Sequence, residues 1–141
     1  VSYLLDTNVV SELRKSEARA NPRVRSWVAA RVPSDLYLSA ITVLEIELGI
    51  ARVARRDADH SERLQAWLDN ELLDVFARRI LPVDVSVVRF AARLHVPDPR
   101  PERDALIAAT AAVNGLTVVT RNVRDFSGLG VAIVDPWGDT P

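Results

Sequence analysis

LLDTNVVSEL, residues 4–13, is the stretch on which the reading of the whole chain turns. Its first half continues an apolar run from Tyr3, and its second half places apolar residues at helical spacing, so Asp6 falls where a strand hands over to a helix. The simplest role for an aspartate there is an N-cap, its carboxylate accepting a backbone N–H of the first helical turn. In an open parallel sheet, though, the carboxyl ends of the strands are also where ligands bind. Whether Asp6 has a second role therefore depends on which other groups reach the same edge.

Further strand-like runs occupy residues 36–38, 80–83, 117–119 and 131–134, and helical periodicity occupies 9–14, 22–31, 41–55, 61–76, 85–95 and 102–114. Strands alternating with helices predict an α/β fold, a mostly parallel central sheet of about five strands covered on both faces. Pro22 opens one helix, and Asn114-Gly115 closes another. The charged stretch 52–63 reads as the exposed tip of a helical hairpin. Pro97, Pro99 and Pro101 keep the chain extended until the helix beginning near Glu102. The tail, 135–141, is expected to be loosely held.

With 141 residues, 48% hydrophobic and 26% charged, the chain has the composition of one domain with a substantial core. It has no cysteine, which excludes disulfides, thiolate metal sites and cysteine nucleophiles. A net charge of -1 argues against a surface that is basic all over, while leaving room for local basic stripes. No run is apolar enough to span a membrane, and no export signal is visible, so the expectation is a cytoplasmic protein without membrane contact.

Three more carboxylates stand out. Asp104 lies in RPERDALIAATA, in the first turn of an alanine-rich helix, where its bland role is to complement the helix dipole. Asp125 lies five residues past Thr120, at the end of another strand, in what reads as a loop or turn. Glu45 lies in a helix that is apolar around most of its circumference, beside Ile41, Leu48 and Arg52, with Val43, Ile46 and Ile50 on a second apolar face. Periodicity alone does not choose between Glu45 and Glu47. If several of these acids meet, two charges about 5 Å apart at an effective dielectric near 20 repel by roughly 3 kcal/mol. Such a cluster needs a cation or a proton. Without cysteine, and with His60 and His95 in dissimilar contexts, an all-oxygen site suits Mg2+, with Mn2+ as a substitute. A carboxylate-bound Mg2+ commonly takes further ligands from phosphate, and hydrolysis of a phosphodiester follows as the expected chemistry.

The segments LLDTNVVSEL, SAITVLEIELG, RDALIAATA and GLTVVTRNVRDF, in this order, resemble PIN-domain proteins of the VapC and FitB type, the toxin half of bacterial type II toxin-antitoxin pairs. The resemblance covers nearly the whole chain. It implies a three-layer α/β/α sandwich, with residues 1–141 forming a single PIN domain that carries a helical hairpin insertion around 41–76. It also implies a Mg2+-dependent endoribonuclease held inactive by a cognate VapB- or FitA-like antitoxin. The family's four acids fall on Asp6, Glu45, Asp104 and Asp125, the second because Gly49 follows Glu45 at the family's spacing. Asn8 and Thr120 match supporting polar positions. Asp6 and Asp104 are then the principal metal ligands, with Glu45 a further ligand or water-positioning base and Asp125 acting through water or on a second ion. A homodimer or toxin-antitoxin hetero-oligomer is implied in a bacterial cytoplasm, touching operator DNA only through the antitoxin. The antitoxin's C-terminal segment is expected on part of the hairpin and the first two helices.

Arg100, Arg103, Arg121 and Arg124 flank the acidic motifs and are the candidate contacts for RNA phosphates. Trp27, Trp67 and Trp137 offer stacking surfaces, although core packing is the simpler fate of the first two. Two other functions fit parts of the pattern. An aspartyl phosphatase using Asp6 as nucleophile is disfavoured by asparagine at position 8 and by a single lysine, Lys15, just beyond the first helix. A non-catalytic module acting as co-repressor with an operator-binding antitoxin is compatible with the same fold.

Overall fold

The computed structural model describes residues 1–138. Five parallel strands, β1 (Tyr3–Leu5), β2 (Leu36–Ser39), β3 (Ile80–Leu81), β4 (Thr117–Val119) and β5 (Ile133–Val134), form one sheet in the order β3-β2-β1-β4-β5. The central strand, β1, aligns Tyr3 with Leu36 on one side and Leu4 with Val118 on the other. Successive side chains point to opposite faces. Leu5 and Val119 accordingly join a core with Val9, Val24, Leu38, Ile46, Leu68 and Phe76, while Leu4 and Val118 join Ile107, Ala108, Ala111 and Phe126 on the other face. The three-layer α/β/α sandwich expected from the sequence is therefore present.

Helices α1 (Thr7–Arg14), α2 (Pro22–Ala29), α3 (Ala40–Ala54) and α4 (Ala58–Trp67) supply most of the first core, and α6 (Val85–Leu94), α7 (Glu102–Asn114) and α8 (Val123–Phe126) lie on the other side. Ala105, Ala108, Ala109 and Ala111 of α7 are fully buried. Side chains this small let α7 approach its neighbours closely, which brings Asp104 in its first turn to the ends of the strands. Burial of Phe126, worth about 2–3 kcal/mol, holds the four-residue α8 that could not persist alone.

Several boundaries differ from the sequence reading, each for a local reason. Strand β3 stops before Pro82, which has no N–H to give the ladder. The hairpin tip shrinks to residues 55–57, because Asp57 caps α4 by accepting the His60 N–H at 3.0 Å. The helix expected over 61–76 contains a π-helical turn at Leu68–Leu72 before α5 (Leu73–Val75). Asp125 sits in α8 rather than in a loop. The tail is held at least to Trp137: its N–H donates to Asp135 Oδ1 (2.9 Å), its carbonyl accepts from Arg23 (3.4 Å), and its ring packs on the first core. Residues 139–141 of that tail lie outside the described residues.

Candidate active site

The carboxyl ends of β1 and β4 lie side by side, and Asp6 and Thr120 extend directly from them: the Asp6 N–H donates to Val119 O (2.9 Å), and the Thr120 N–H donates to Val134 O (2.9 Å). Asp6 is only 4% exposed. Its Oδ1 accepts the Thr7 N–H (2.8 Å), the predicted N-cap, and its Oδ2 accepts the Thr120 hydroxyl (2.8 Å) and Asn8 Nδ2 (3.3 Å). Asn8 also reaches the Thr120 hydroxyl (3.3 Å) and accepts the Arg121 N–H (3.2 Å) on Oδ1, so it ties the two strand ends together. The Thr120 hydroxyl accepts the Asn122 N–H (2.9 Å), which fixes it as a donor toward Asp6. Both supporting positions read from the sequence are in contact with Asp6.

Glu45 arrives from α3, and Glu47 does not: Glu47 is exposed and accepts from Gln65 Nε2 (3.3 Å). The Thr7 hydroxyl donates to Glu45 Oε1 at 2.6 Å, and Arg103 Nη1 stands 3.7 Å from Glu45 Oε2. The Thr7 and Thr42 hydroxyls lie 3.3 Å apart, with Thr42 fully buried. This pair was not singled out from the sequence. Thr7 sits inside the motif itself, and its signal was its place beside Asp6, two residues before the helical periodicity begins at Val9.

Asp104 and Asp125 complete the convergence. Burial pushes Asp104 up to about 6, and the nearby carboxylates of Asp6, Asp125 and Glu45 push in the same direction against a smaller opposing pull from Arg103. Burial likewise raises Asp6, opposed by its bonds from Thr120 and Thr7 and reinforced by Glu45 and Asp125. Asp104 thus feels the charge of all three other acids, and Asp6 feels Glu45 and Asp125 as well. As they stand, no three acids or histidines among the described residues are gathered tightly enough to enclose an ion directly. Mg2+ typically takes one or two carboxylates and keeps several waters, which suits loosely converging oxygen donors short of positive charge. The donor set fits that ion.

The four candidate arginines divide. Arg103 contacts Glu45, and Arg121 places its guanidinium 5.5 Å from the Trp137 ring centroid. Arg100 donates its backbone N–H to His95 Nδ1 (3.0 Å), and Arg124 is exposed on α8 beside Asp125. Trp27, Trp67 and Trp137 all pack, partly buried, against the first core.

The family profile described as PIN domain matches residues 3–130. The chain is 39% identical over 142 residues to "Toxin FitB" of Neisseria gonorrhoeae, covering 96% of this chain and 99% of that protein. It is 37% identical over 139 residues to "VapC ribonuclease Y4jK" of Sinorhizobium fredii, covering 95% and 96%. Among solved structures it is similar to a chain of "Structure of FitAB bound to IR36 DNA fragment", with a TM-score of 0.88, 35% identity and coverage of 99% and 98%.

Proposed function

This chain belongs to the PIN-domain family, and from that premise we propose that it is a Mg2+-dependent endoribonuclease, the toxin of a toxin-antitoxin pair. One observation carries the reading: four carboxylates, one at the end of β1 and the others on α3, α7 and α8, converge with Asp104 raised to about 6, a charge arrangement in want of a cation. The ribonuclease name of the Sinorhizobium relative supports the choice of chemistry.

In this reading Asp6 and Asp104 would hold the ion, Glu45 would hold it further or orient the attacking water, and Asp125 would act through water or on a second ion. When bound, the ion would orient and acidify a water and neutralise charge on the phosphate and the leaving 3′ oxygen. Asn8 and Thr120 fix the carboxylate of Asp6, and Thr7 fixes that of Glu45, so neither must reorganise during the reaction. Water attacks phosphorus, the bond to the 3′ oxygen breaks, and the fragments leave with a 5′-phosphate and a 3′-hydroxyl.

A cognate FitA- or VapB-like antitoxin is the proposed inhibitor. The FitB-like chain whose fold this one shares is described in a FitAB complex on DNA, which also favours a second role, co-repression of an operator through the antitoxin. The antitoxin-docking surface fits a cavity of about 270 Å³ between α1, α3 and α4, where Ile46, Ile50, Val53, Leu64 and Trp67 offer apolar contacts next to Glu45. No helix among the described residues is long and apolar enough to cross a membrane.

The test is cleavage of a panel of structured RNAs by protein freed of partner, with Mg2+ or Mn2+ and with chelator. Metal-dependent cleavage that disappears in Asp104→Asn is expected. Intact RNA across the panel, from folded protein at high concentration, would leave only the co-repressor role.

A further inference from the structure

A second cavity, about 580 Å³, opens at the far end of the one just described and shares Arg14, His60, Leu64 and Trp67 with it. The shared residues place the two cavities side by side, the inner one lined by Thr7 and Glu45 at the acidic edge and the outer groove by Arg19, Arg63 and Asn70. One face of α4, recurring through His60, Arg63, Leu64 and Trp67 at helical spacing, forms one wall, and the C-terminal turn of α1 with Arg14 forms the other. Arg14, Arg19 and Arg63 are exposed, and among the described residues none of them has a carboxylate within ion-pair range. Glu71 is the acid in the lining. The outer groove is therefore electropositive, in a chain whose total charge is -1.

We propose that this outer groove is the track of the substrate strand: Arg14, Arg19 and Arg63 bind the phosphates of single-stranded RNA flanking the one held at the acidic edge, with His60 beside them. The proposal rests on the nuclease reading and deepens it. Three features favour RNA as the occupant. The cations line a cavity adjoining the one that Glu45 lines, a carboxylate proposed to act on a phosphodiester. They carry no internal partners to displace. The partly exposed Trp67 indole gives bases a surface to lie on, as strand-binding grooves commonly do. Two of the arginines expected from the sequence are by contrast already engaged, Arg103 with Glu45 and Arg121 with Trp137.

The experiment measures anisotropy of a labelled single-stranded RNA of mixed sequence with the full chain in chelator, over a series of salt concentrations. Arg14→Ala with Arg63→Ala is expected to weaken binding roughly tenfold or more at moderate salt and to lower the slope of log affinity against log salt by about 1.4, two lost contacts at about 0.7 each on a single strand. The corresponding Arg→Lys pair retains the slope, and Arg89→Ala, on α6 in the opposite layer, binds as the parent does. Unchanged affinity and slope in the double alanine variant would overturn the proposal, as would weakened binding at an unchanged slope, or no RNA binding by the parent. Loss of binding to an acidic antitoxin peptide with RNA binding intact would assign the groove to the peptide instead. Failure of the nuclease reading looks different: the parent binds RNA with the predicted salt dependence and does not cleave it with Mg2+ or Mn2+.

Discussion

Asp6 and Glu12 stand at the two ends of α1, both nearly buried, and their surroundings pull them in opposite directions. Glu12 accepts the Asn21 N–H (3.0 Å) on one oxygen and pairs with Lys15 Nζ (3.0 Å) on the other, and these contacts hold its carboxyl below the usual range. Asp6 is also well hydrogen-bonded, yet burial raises it and Glu45 and Asp125 raise it further. Both side chains are little exposed, but loss of hydration is the largest influence at Asp6, whereas hydrogen bonding outweighs it at Glu12. What also separates them is whether the negative charge is answered within the protein. Glu12 is answered and clamps the turn between α1 and α2, a structural task, whereas Asp6 joins acids that share a deficit of positive charge, which marks a place for a ligand.

That contrast can be broken most forcefully by neutralisation. Asp104→Asn should abolish RNA cleavage, a loss on the order of a thousandfold, since the proposed ion would lose a principal ligand. The folded protein should survive and, without divalent ion at pH 7, melt slightly higher than the parent, because a repelling charge has gone. Glu12→Gln should do the reverse: cleavage per folded molecule stays near the parent value, while weakened bonds to Asn21 and Lys15 cost about 2 kcal/mol, roughly 5 °C in Tm. If Glu12→Gln destroyed activity in a stable protein, or Asp104→Asn melted early, the division between the two acids would be wrong.

Thr7 sharpens the comparison at a smaller scale. Thr7→Val removes the hydroxyl that holds Glu45 and should lower the rate constant for cleavage about tenfold, with RNA affinity kept and Thr7→Ser restoring the rate. A residue that only packs would be replaced well by valine, which is nearly isosteric, and poorly by serine.

The smallest effect is in the pH dependence of stability. Asp104 is raised, so the folded state holds its proton longer than the unfolded chain. In the absence of divalent ion, its contribution is therefore most favourable at low pH and is lost as pH rises from about 4 to about 6. Partial exposure screens this, and a change of a few degrees in Tm is expected over that window. Glu12 works in the opposite sense: its stabilisation is present above the ordinary glutamate range and is lost as pH falls through its lowered value. Melting the parent, Asp104→Asn and Glu12→Gln across pH 3 to 8 separates the two, since each variant should erase one limb of the profile.

Much of this was legible in the chain. The strands at 3–5 and 117–119 stood out as buried apolar runs, and the alanines after Asp104 announced a helix that packs closely. The acids at strand and helix ends were visible one by one, but the choice of Glu45 over Glu47 came only from the family resemblance, whose glutamate precedes a glycine as Glu45 precedes Gly49, and the contacts of α3 match it. Less legible was whatever depends on partners distant in sequence. The Thr7 hydroxyl meets Glu45 across 38 positions, and no local pattern announces such a bond. The groove of Arg14, Arg19 and Arg63 was hidden for the same reason: its residues come from α1, the turn after it and α4, and sequence proximity to the acidic motifs pointed instead to Arg100, Arg103, Arg121 and Arg124. The short α8 escaped because tertiary burial of Phe126, rather than propensity, sustains it.

The account depends on the acids at the strand ends sharing a charge deficit that a divalent ion relieves. Calorimetric titration of Mn2+ at pH 6, repeated in buffers of different ionisation enthalpy, measures both ion binding and the protons it expels. With Asp104 near its midpoint there, about half a proton per ion should be released by the parent and almost none by Asp104→Asn, which should also bind more weakly. Absence of binding, or the same proton release from the parent and Asp104→Asn, would contradict the claim.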